Sequence, residues 1–195
     1  FTMDTGVNGK VQRIQAMLYA KASSEPETRF KRLYKYLTKS EWVEVAADGV
    51  LRNRGSRTAG VDGKTRKDYL DEKNYNELAQ TIQDELARQT YQPLPVRRTY
   101  IDKANGKQRP LGIATVKDRV VQQMVKMVIE PIYEATFLSC SYGFRPNRCT
   151  WDALADAYRF LKPHCRYYTI IEGDIEDCFG TIDHSTLVRQ LRRRI

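Results

Sequence analysis

The 195-residue sequence has no apolar run that approaches the ~20 residues needed to cross a bilayer, and no cationic start precedes an apolar leader. It also lacks the Gly-x-Ser-x-Gly, phosphate-loop and zinc-deaminase signatures, which argues against those enzyme classes. Its four cysteines are separated by 9, 16 and 13 positions, a spacing typical of neither a paired zinc knuckle nor a small disulfide scaffold. We therefore expect a soluble protein with reduced thiols, located in the cytoplasm or an organelle, not secreted and not bound to a membrane.

Acidic residues are the scarcer charge, since 24 Asp and Glu face 33 Lys and Arg, and the formal net charge is +9. Residues 52–67 and 97–119 each carry a net charge of +5, whereas residues 71–88 carry −3. Such asymmetry favours a polyanionic partner, because each phosphate contact releases condensed counterions. The alternative is that these residues form solvated basic helices. The candidate nucleic-acid contacts in these clusters are Arg52, Arg54, Arg57, Arg97 and Arg98.

Length limits the chain to one core, or to a core with a smaller helical lobe. The sequence begins with Phe1, and residues 185–195 have a helical pattern without a stop signal. We therefore expect a fragment of a longer protein.

Apolar spacing predicts helices over 9–21, 28–47 and 117–134, and another that starts near Tyr75. Pro131 is expected to kink or end the third of these helices. Thr150 is the expected N-cap of a further amphipathic helix with an apolar stripe that includes Trp151 and Tyr158. Residues 53–63 contain three glycines and no periodicity, which predicts a flexible basic loop able to wrap a nucleic-acid backbone.

Strand patterns occur in two places. Residues 96–101 and 108–113 flank Asn105-Gly106, and Asn-Gly supplies the positive φ angles of a tight β-hairpin. The apolar run 167–173 predicts a strand that delivers the carboxylate of Asp174 to its end. Hard divalent cations require such oxygens, although an isolated Asp at a strand end is more often a structural cap or turn residue.

Longer motifs add context to Asp174. Residues 174–184 follow the form Asp-Ile-x-x-x-Phe-x-x-Ile-Asp-His, and they are preceded by Arg-Pro-Leu-Gly-Ile at 109–113 and Ser-Tyr-Gly-Phe-Arg-Pro-Asn-Arg at 141–148. With these motifs the chain resembles the fingers and early palm of a group II intron reverse transcriptase of the maturase type.

The resemblance implies an α+β fold in which helix-rich fingers with a β-hairpin lead into the first strand and helix of a right-hand polymerase palm. It implies a helical extension at 1–50, fingers with the basic loop and hairpin at 51–166, and the start of the palm at 167–195.

The resemblance also implies roles for individual residues. Asp174 would be the catalytic metal ligand, and the Ile175 carbonyl would contact the second ion of a two-Mg²⁺ site. Phe179 would lie beneath the incoming sugar and exclude a ribose 2′-hydroxyl, so that the substrate is a deoxynucleoside triphosphate. The triphosphate would be bound by Lys103, Arg109 and the backbone amides of Asp177 and Cys178.

Template contacts are implied for the motif at 141–148, first for Arg145 and then for Arg148, while Tyr142 and Phe144 are expected to be packed. Asp118 and Arg119 match a Thr-x-x-Asp-Arg motif, in which a local ion pair is expected to fix a helix start. Two departures from the family, Cys178 before the Phe and Gly180 after it, are expected to loosen the turn that follows Asp174.

The Tyr-Ala-Asp-Asp turn of the family does not occur in these 195 residues. Because that turn supplies the other metal-binding carboxylates, we expect an incomplete two-ion site and no polymerisation by this segment alone.

The leading hypothesis for the parent protein is an RNA-directed DNA polymerase of a group II intron. It would bind intron RNA, assist splicing and support mobility, using an RNA template and a DNA primer. The alternatives are an RNA-binding splicing cofactor without polymerase activity, and a related bacterial reverse transcriptase with a defence role. Unpaired strand edges predict self-association.

Overall fold

The computed structural model describes residues 5–102, 106–162, 165 and 167–195. Within them helices predominate and the strands form one antiparallel hairpin, which confirms the expected α+β class. Short 3₁₀ turns occur at Arg54–Arg57 and Arg66–Tyr69. The other elements are α1 (Thr5–Ser24), α2 (Tyr34–Leu37), α3 (Ser40–Arg52), α4 (Glu72–Ala87), β1 (Arg97–Asp102), β2 (Gln108–Ile113), α5 (Val116–Glu134), α6 (Thr150–Phe160), α7 (Cys178–Thr181) and α8 (His184–Leu191).

The main hydrophobic core is built from side chains of α1, α2, α3, α4 and α5. Its largest fully buried side chain, Trp42, is 1% exposed and stacks on Tyr36 with the ring centroids 5.3 Å apart. The indole Nε1 donates a hydrogen bond to the carbonyl of Met124 at 3.3 Å, which joins α3 to α5. Helix α5 contributes the apolar face that its sequence predicts, with Val120 and Met124 fully buried.

Two helix predictions need correction. The helix expected over 28–47 is divided, because Lys39 adopts an extended conformation (φ −91°, ψ 136°) between α2 and α3. Apolar spacing does not reveal this break, since both helices bury side chains in the same core. Helix α5 does not end at Pro131 but continues to Glu134, because a proline in the last turn removes only one late hydrogen bond.

The predicted hairpin is confirmed. Strands β1 and β2 pair from Arg97 opposite Ile113 to Asp102 opposite Gln108. Gly106, at the turn, has φ 76°, a left-handed conformation that glycine adopts without steric cost.

The N-cap of helix α6 is Cys149 and not Thr150, so the cap lies one residue earlier than expected. The Asp152 carboxylate accepts a hydrogen bond from the Cys149 backbone N–H at 2.8 Å. The predicted apolar stripe is exposed among the described residues, with Trp151 77% and Tyr158 69% accessible. The spacing of the stripe therefore predicts the helix, but it does not predict whether the apolar face is buried.

Asp118, in the first turn of α5, is only 3% exposed, and its carboxylate joins several segments through hydrogen bonds. Its carboxylate accepts hydrogen bonds from the hydroxyls of Tyr91 and Thr115 at 2.6 and 2.7 Å and from the Leu94 N–H at 3.3 Å. Burial, followed by the hydrogen bond to Asp118, raises the pKa of the Tyr91 hydroxyl. The segment that enters the hairpin is thereby fixed to the start of α5.

We expect Asp118→Asn to lower the free energy of unfolding by about 2 kcal/mol, because one carboxylate oxygen that accepts hydrogen bonds is replaced by an amide donor. Urea denaturation followed by circular dichroism measures the change. The control is Asp102→Asn on the exposed hairpin, which should change stability by less than about 0.5 kcal/mol. Equal losses in the two variants would show that the hydrogen bonds of the buried Asp118 carboxylate do not stabilise the fold.

Candidate active site

Arg109 lies on β2 directly opposite Ile101 on β1. Directly opposed residues of an antiparallel pair project from the same face of the sheet, so Arg109 shares its face with Ile101, Thr99 and Leu111. In the described part of the chain, the side chain of Arg109 has no hydrogen bond or ion pair, and its guanidinium can receive an anionic ligand. Lys103, the second predicted triphosphate ligand, lies outside the described residues, as does Asn105 of the predicted turn.

The strand predicted over 167–173 is not formed, and this prediction is wrong for the structure. The segment is irregular and solvent-exposed, with Ile170 73% and Ile171 94% accessible. A strand requires a neighbouring backbone to satisfy its N–H and C=O groups, and no described residue pairs with this segment. The apolar pattern predicts burial in a sheet but cannot supply the partner strand.

Asp174 follows this segment and is exposed. Its Oδ1 accepts a hydrogen bond from the backbone N–H of Ile175 at 2.9 Å. Among the described residues, no cluster of three or more His, Cys, Asp or Glu side chains is placed to hold a metal ion. Asp174 therefore offers one oxygen-bearing side chain, which suits a hard cation but cannot hold it alone.

The turn after Asp174 is shaped by Asp177, which has φ 44° and precedes the short helix α7. Its carbonyl accepts hydrogen bonds from the N–H groups of Gly180 and Thr181 at 2.9 and 3.0 Å. A Cβ at Gly180 would clash with the Asp177 carboxylate, so a side chain at this position would displace that carboxylate. Cys178 and Phe179 begin α7, and the Phe179 ring is 87% exposed.

Asp183, at the end of the same motif, is the N-cap of α8. Its carboxylate accepts hydrogen bonds from the Ser185 hydroxyl at 2.6 Å and the Thr186 N–H at 2.7 Å. These hydrogen bonds, the Ser185 one first, lower the pKa of Asp183 to about 2. The Asp183 carboxylate therefore serves as the N-terminal cap of α8.

No hydrogen bond, ion pair or ring contact between described residues links Asp174 or Phe179 to Arg109. The predicted site residues thus lie in two parts, a hairpin surface with Arg109 and an exposed segment with Asp174, Asp177, Cys178 and Phe179.

Arg145 has an internal role that the sequence did not predict. Its guanidinium pairs with Glu134, with Nη2 2.6 Å from the carboxylate, and donates to the carbonyls of Leu138 and Ser141 at 2.8 and 2.7 Å. The side chain is 7% exposed and lies over the Phe137 ring, 5.2 Å from its centroid. Its N–H groups hold the 141–148 turn together, and the expected contact of Arg145 with a template stays a prediction.

Two other members of this turn are more accessible. Arg148 is exposed and lies over the ring of Tyr142, 5.8 Å from its centroid. The Tyr142 hydroxyl donates to the Asp156 carboxylate, which fixes the turn to α6. Phe144 is fully exposed and has φ 58°, so the expectation that this ring is packed is wrong.

We expect Arg145→Ala to lower the urea midpoint of unfolding, because it leaves the Glu134 carboxylate without its cation. Arg148→Ala should leave the midpoint unchanged and weaken nucleic-acid binding, since its guanidinium is exposed. Denaturation and fluorescence anisotropy measured on both variants test this pair. A stable Arg145→Ala protein that no longer binds nucleic acid would instead support a direct template contact by Arg145.

The basic loop at 53–63 is anchored to the start of α5. Arg119 donates hydrogen bonds to the carbonyls of Ala114, Gly55 and Thr58 at 2.9, 2.7 and 2.7 Å. Gly60 lies so close to Thr115 that an added Cβ would be 2.7 Å from the Thr115 Cα.

The hairpin is tied to the same loop, because Arg97 Nε donates to the Ala59 carbonyl at 3.0 Å. The loop that was expected to be flexible is therefore held in place. The expected ion pair between Asp118 and Arg119 does not form, because each side chain has other partners. The exposed arginines of this region are Arg52 at the end of α3, which pairs with Asp48 at 2.8 Å, Arg54 and Arg57 in the loop, and Arg97 and Arg98 on β1. We call these five arginines the basic surface.

Comparison with known proteins shows what the chain is similar to. Residues 101–195 match the family model described as reverse transcriptase (RNA-dependent DNA polymerase). The chain is 39% identical over 167 residues to the group II intron-encoded protein LtrA of Lactococcus lactis subsp. cremoris, covering 85% of this chain and 26% of LtrA. The chain is therefore similar to reverse transcriptases over residues 101–195 and to a group II intron-encoded protein over most of its own length.

Further similarity supports this relationship. The chain is 41% identical over 187 residues to Protein YkfC of Escherichia coli K12, covering 95% of this chain and 49% of that protein. It is 35% identical over 166 residues to the uncharacterized 91 kDa protein in cob intron of Schizosaccharomyces pombe, covering 85% of this chain and 20% of that protein.

The chain thus spans about half the length of Protein YkfC and about a quarter of LtrA. The resemblance expected from the motifs is confirmed. None of the described helices combines the length and apolarity needed to cross a membrane.

Proposed function

We propose that the chain forms the fingers and the start of the palm of an RNA-directed DNA polymerase encoded within a group II intron. The observation that carries this proposal is the reverse transcriptase match over residues 101–195, which includes Arg109 and Asp174. The anchored basic surface adds support, because a polymerase must hold polyanionic strands at a fixed position. In this proposal the protein binds its intron RNA, assists splicing and copies RNA into DNA for intron mobility.

The proposed residue roles follow the chemistry of the side chains. Arg109 and Lys103 bind the triphosphate of a deoxynucleotide, the former through a planar fork and the latter as a point charge. Asp174 and the Ile175 carbonyl supply oxygen ligands for Mg²⁺, which fits the preference of that ion. Magnesium, when bound, activates the primer hydroxyl and neutralises the triphosphate.

The remaining roles concern the sugar and the substrate backbone. We assign Phe179 to the exclusion of a ribose 2′-hydroxyl, because its exposed ring follows Asp174 by five residues. The backbone amides of Asp177 and Cys178 would approach the triphosphate.

We assign residues 1–50 to a helical extension, 51–166 to the fingers and 167–195 to the start of the palm. The first boundary lies within α3, near its C-terminal end. We place the protein in the bacterial cytoplasm or in an organelle, and propose that the exposed 167–173 segment supports self-association.

A second candidate is an RNA-binding splicing cofactor without polymerase activity. One observation favours this candidate. The loop and hairpin that carry the basic surface are held together by hydrogen bonds, whereas no hydrogen bond or ion pair in the described chain joins Asp174 to the hairpin.

RNA-templated DNA synthesis by the full-length protein tests the proposal. We expect extension of a DNA primer on an RNA template in Mg²⁺, and none after chelation with EDTA, because the reaction requires the metal site. Intron splicing assistance without primer extension would favour the second candidate. Absence of both activities and of RNA binding would contradict both.

A further inference from the structure

A groove of about 310 Å³ lies beside the anchored loop, between the 53–56 turn and one face of α5. The helix side of the groove consists of residues spaced i, i+3, i+4 and i+7, which form a single face. This volume is at the lower end of the roughly 300–1,000 Å³ of small-ligand sites and suits one nucleotide unit. The four helix residues are Arg119, Gln122, Gln123 and Lys126.

The two glutamines provide hydrogen-bonding groups that the fold does not use. Gln122 is exposed and Gln123 is half-buried, and neither side-chain amide has a hydrogen-bond partner within the described ranges. Each amide carries two N–H donors and a carbonyl acceptor. A ribose 2′-hydroxyl is both donor and acceptor and matches such a group, whereas deoxyribose lacks it.

The two cations complete a phosphate site. Arg119 uses three of its five N–H donors on the carbonyls of Ala114, Gly55 and Thr58, which leaves two for a ligand. Lys126 Nζ lies 3.3 Å from the Glu130 carboxylate, and the lysine side chain of this pair is 56% exposed. Exposed ion pairs contribute little, so a phosphate can replace Glu130 as the partner of Lys126 at small cost.

We propose that this groove binds one ribonucleotide of an RNA strand, with its phosphate at Arg119 and Lys126 and its ribose at Gln122 and Gln123. The inference rests on the proposed RNA binding and adds a place where the protein distinguishes RNA from DNA. Arg54, exposed on the adjoining turn, is positioned to contact a neighbouring phosphate.

Fluorescence anisotropy with labelled single-stranded RNA and DNA of identical sequence tests the groove on the complete protein. We expect Gln122→Ala/Gln123→Ala to weaken RNA binding about tenfold through lost hydrogen bonds and to leave DNA binding unchanged. The matched control is Gln12→Ala/Gln80→Ala, which removes two exposed glutamines from α1 and α4. Lys126→Gln should weaken RNA and DNA binding alike and reduce the salt slope by about one, compared with Lys73→Gln on α4.

Circular dichroism melts must match wild type for the glutamine variants, and the polar, partly exposed positions make this the expected result. Equal weakening of RNA and DNA binding by the glutamine pair, or no weakening of either, would overturn the groove assignment. Wild-type protein that binds no RNA would instead overturn the proposed function on which the groove assignment depends.

Discussion

Replacing Asp174 with alanine in the full-length protein should reduce RNA-templated DNA synthesis by roughly a thousandfold or more, because the proposed metal site would lose a carboxylate that positions and neutralises the reacting groups. RNA binding and folding should be retained. Asp174 is exposed and its described hydrogen bond is with the N–H of the next residue, so the fold does not depend on it. Single-turnover primer extension measures the loss at the chemical step.

The matched control for this experiment is Glu176→Ala. Glu176 is exposed in the same segment and carries the same charge, but it is not placed at the position that the motif assigns to the metal. We expect near wild-type synthesis from this variant. Equal synthesis by Asp174→Ala and wild type would end the catalytic assignment of Asp174.

Trp42→Ala should lower the free energy of unfolding by about 3–5 kcal/mol, the range for truncating a large buried aromatic side chain. The substitution empties the space between α3 and α5, removes the stack on Tyr36 and leaves the Met124 carbonyl without the indole donor. Small domains are stable by only about 5–15 kcal/mol, so this is a large part of the total. Urea denaturation followed by far-UV circular dichroism measures it.

The second tryptophan of the chain provides the control. Trp151 is 77% exposed on α6, so Trp151→Ala should change the free energy of unfolding by less than about 0.5 kcal/mol. A comparable loss from both substitutions would show that the core is not organised around Trp42.

Local chemistry explains which parts of the fold were predictable. The hairpin follows from two strand patterns and an Asn-Gly turn, and α5 follows from a wide apolar stripe, because each is determined within about twenty residues. The 167–173 segment has an equally clear apolar pattern, but a strand depends on a partner backbone elsewhere in the chain. The extended conformation of Lys39 was hidden because the apolar spacing continues across it.

The arginines show a different limit of sequence analysis. Arg119 and Arg145 both lie in the motifs through which this chain resembles intron reverse transcriptases, and a guanidinium that binds carbonyl oxygens has the same sequence signal as one that binds phosphate. Only the structure shows that Arg145 pairs with Glu134 and that Arg119 anchors the basic loop. Arg109, by contrast, remains exposed on the predicted hairpin, where the sequence placed it.

The most direct test of a metal site at Asp174 is iron-mediated cleavage of the full-length protein bound to primer, RNA template and deoxynucleoside triphosphate, with Fe²⁺ in place of Mg²⁺. Radicals formed at the bound ion cut the nearest backbone. We predict cuts within 172–176 and near Arg109, both absent from Asp174→Ala. Cuts that avoid these segments, or that persist unchanged in the variant, would show that the metal lies elsewhere and that the polymerase assignment of this carboxylate is wrong.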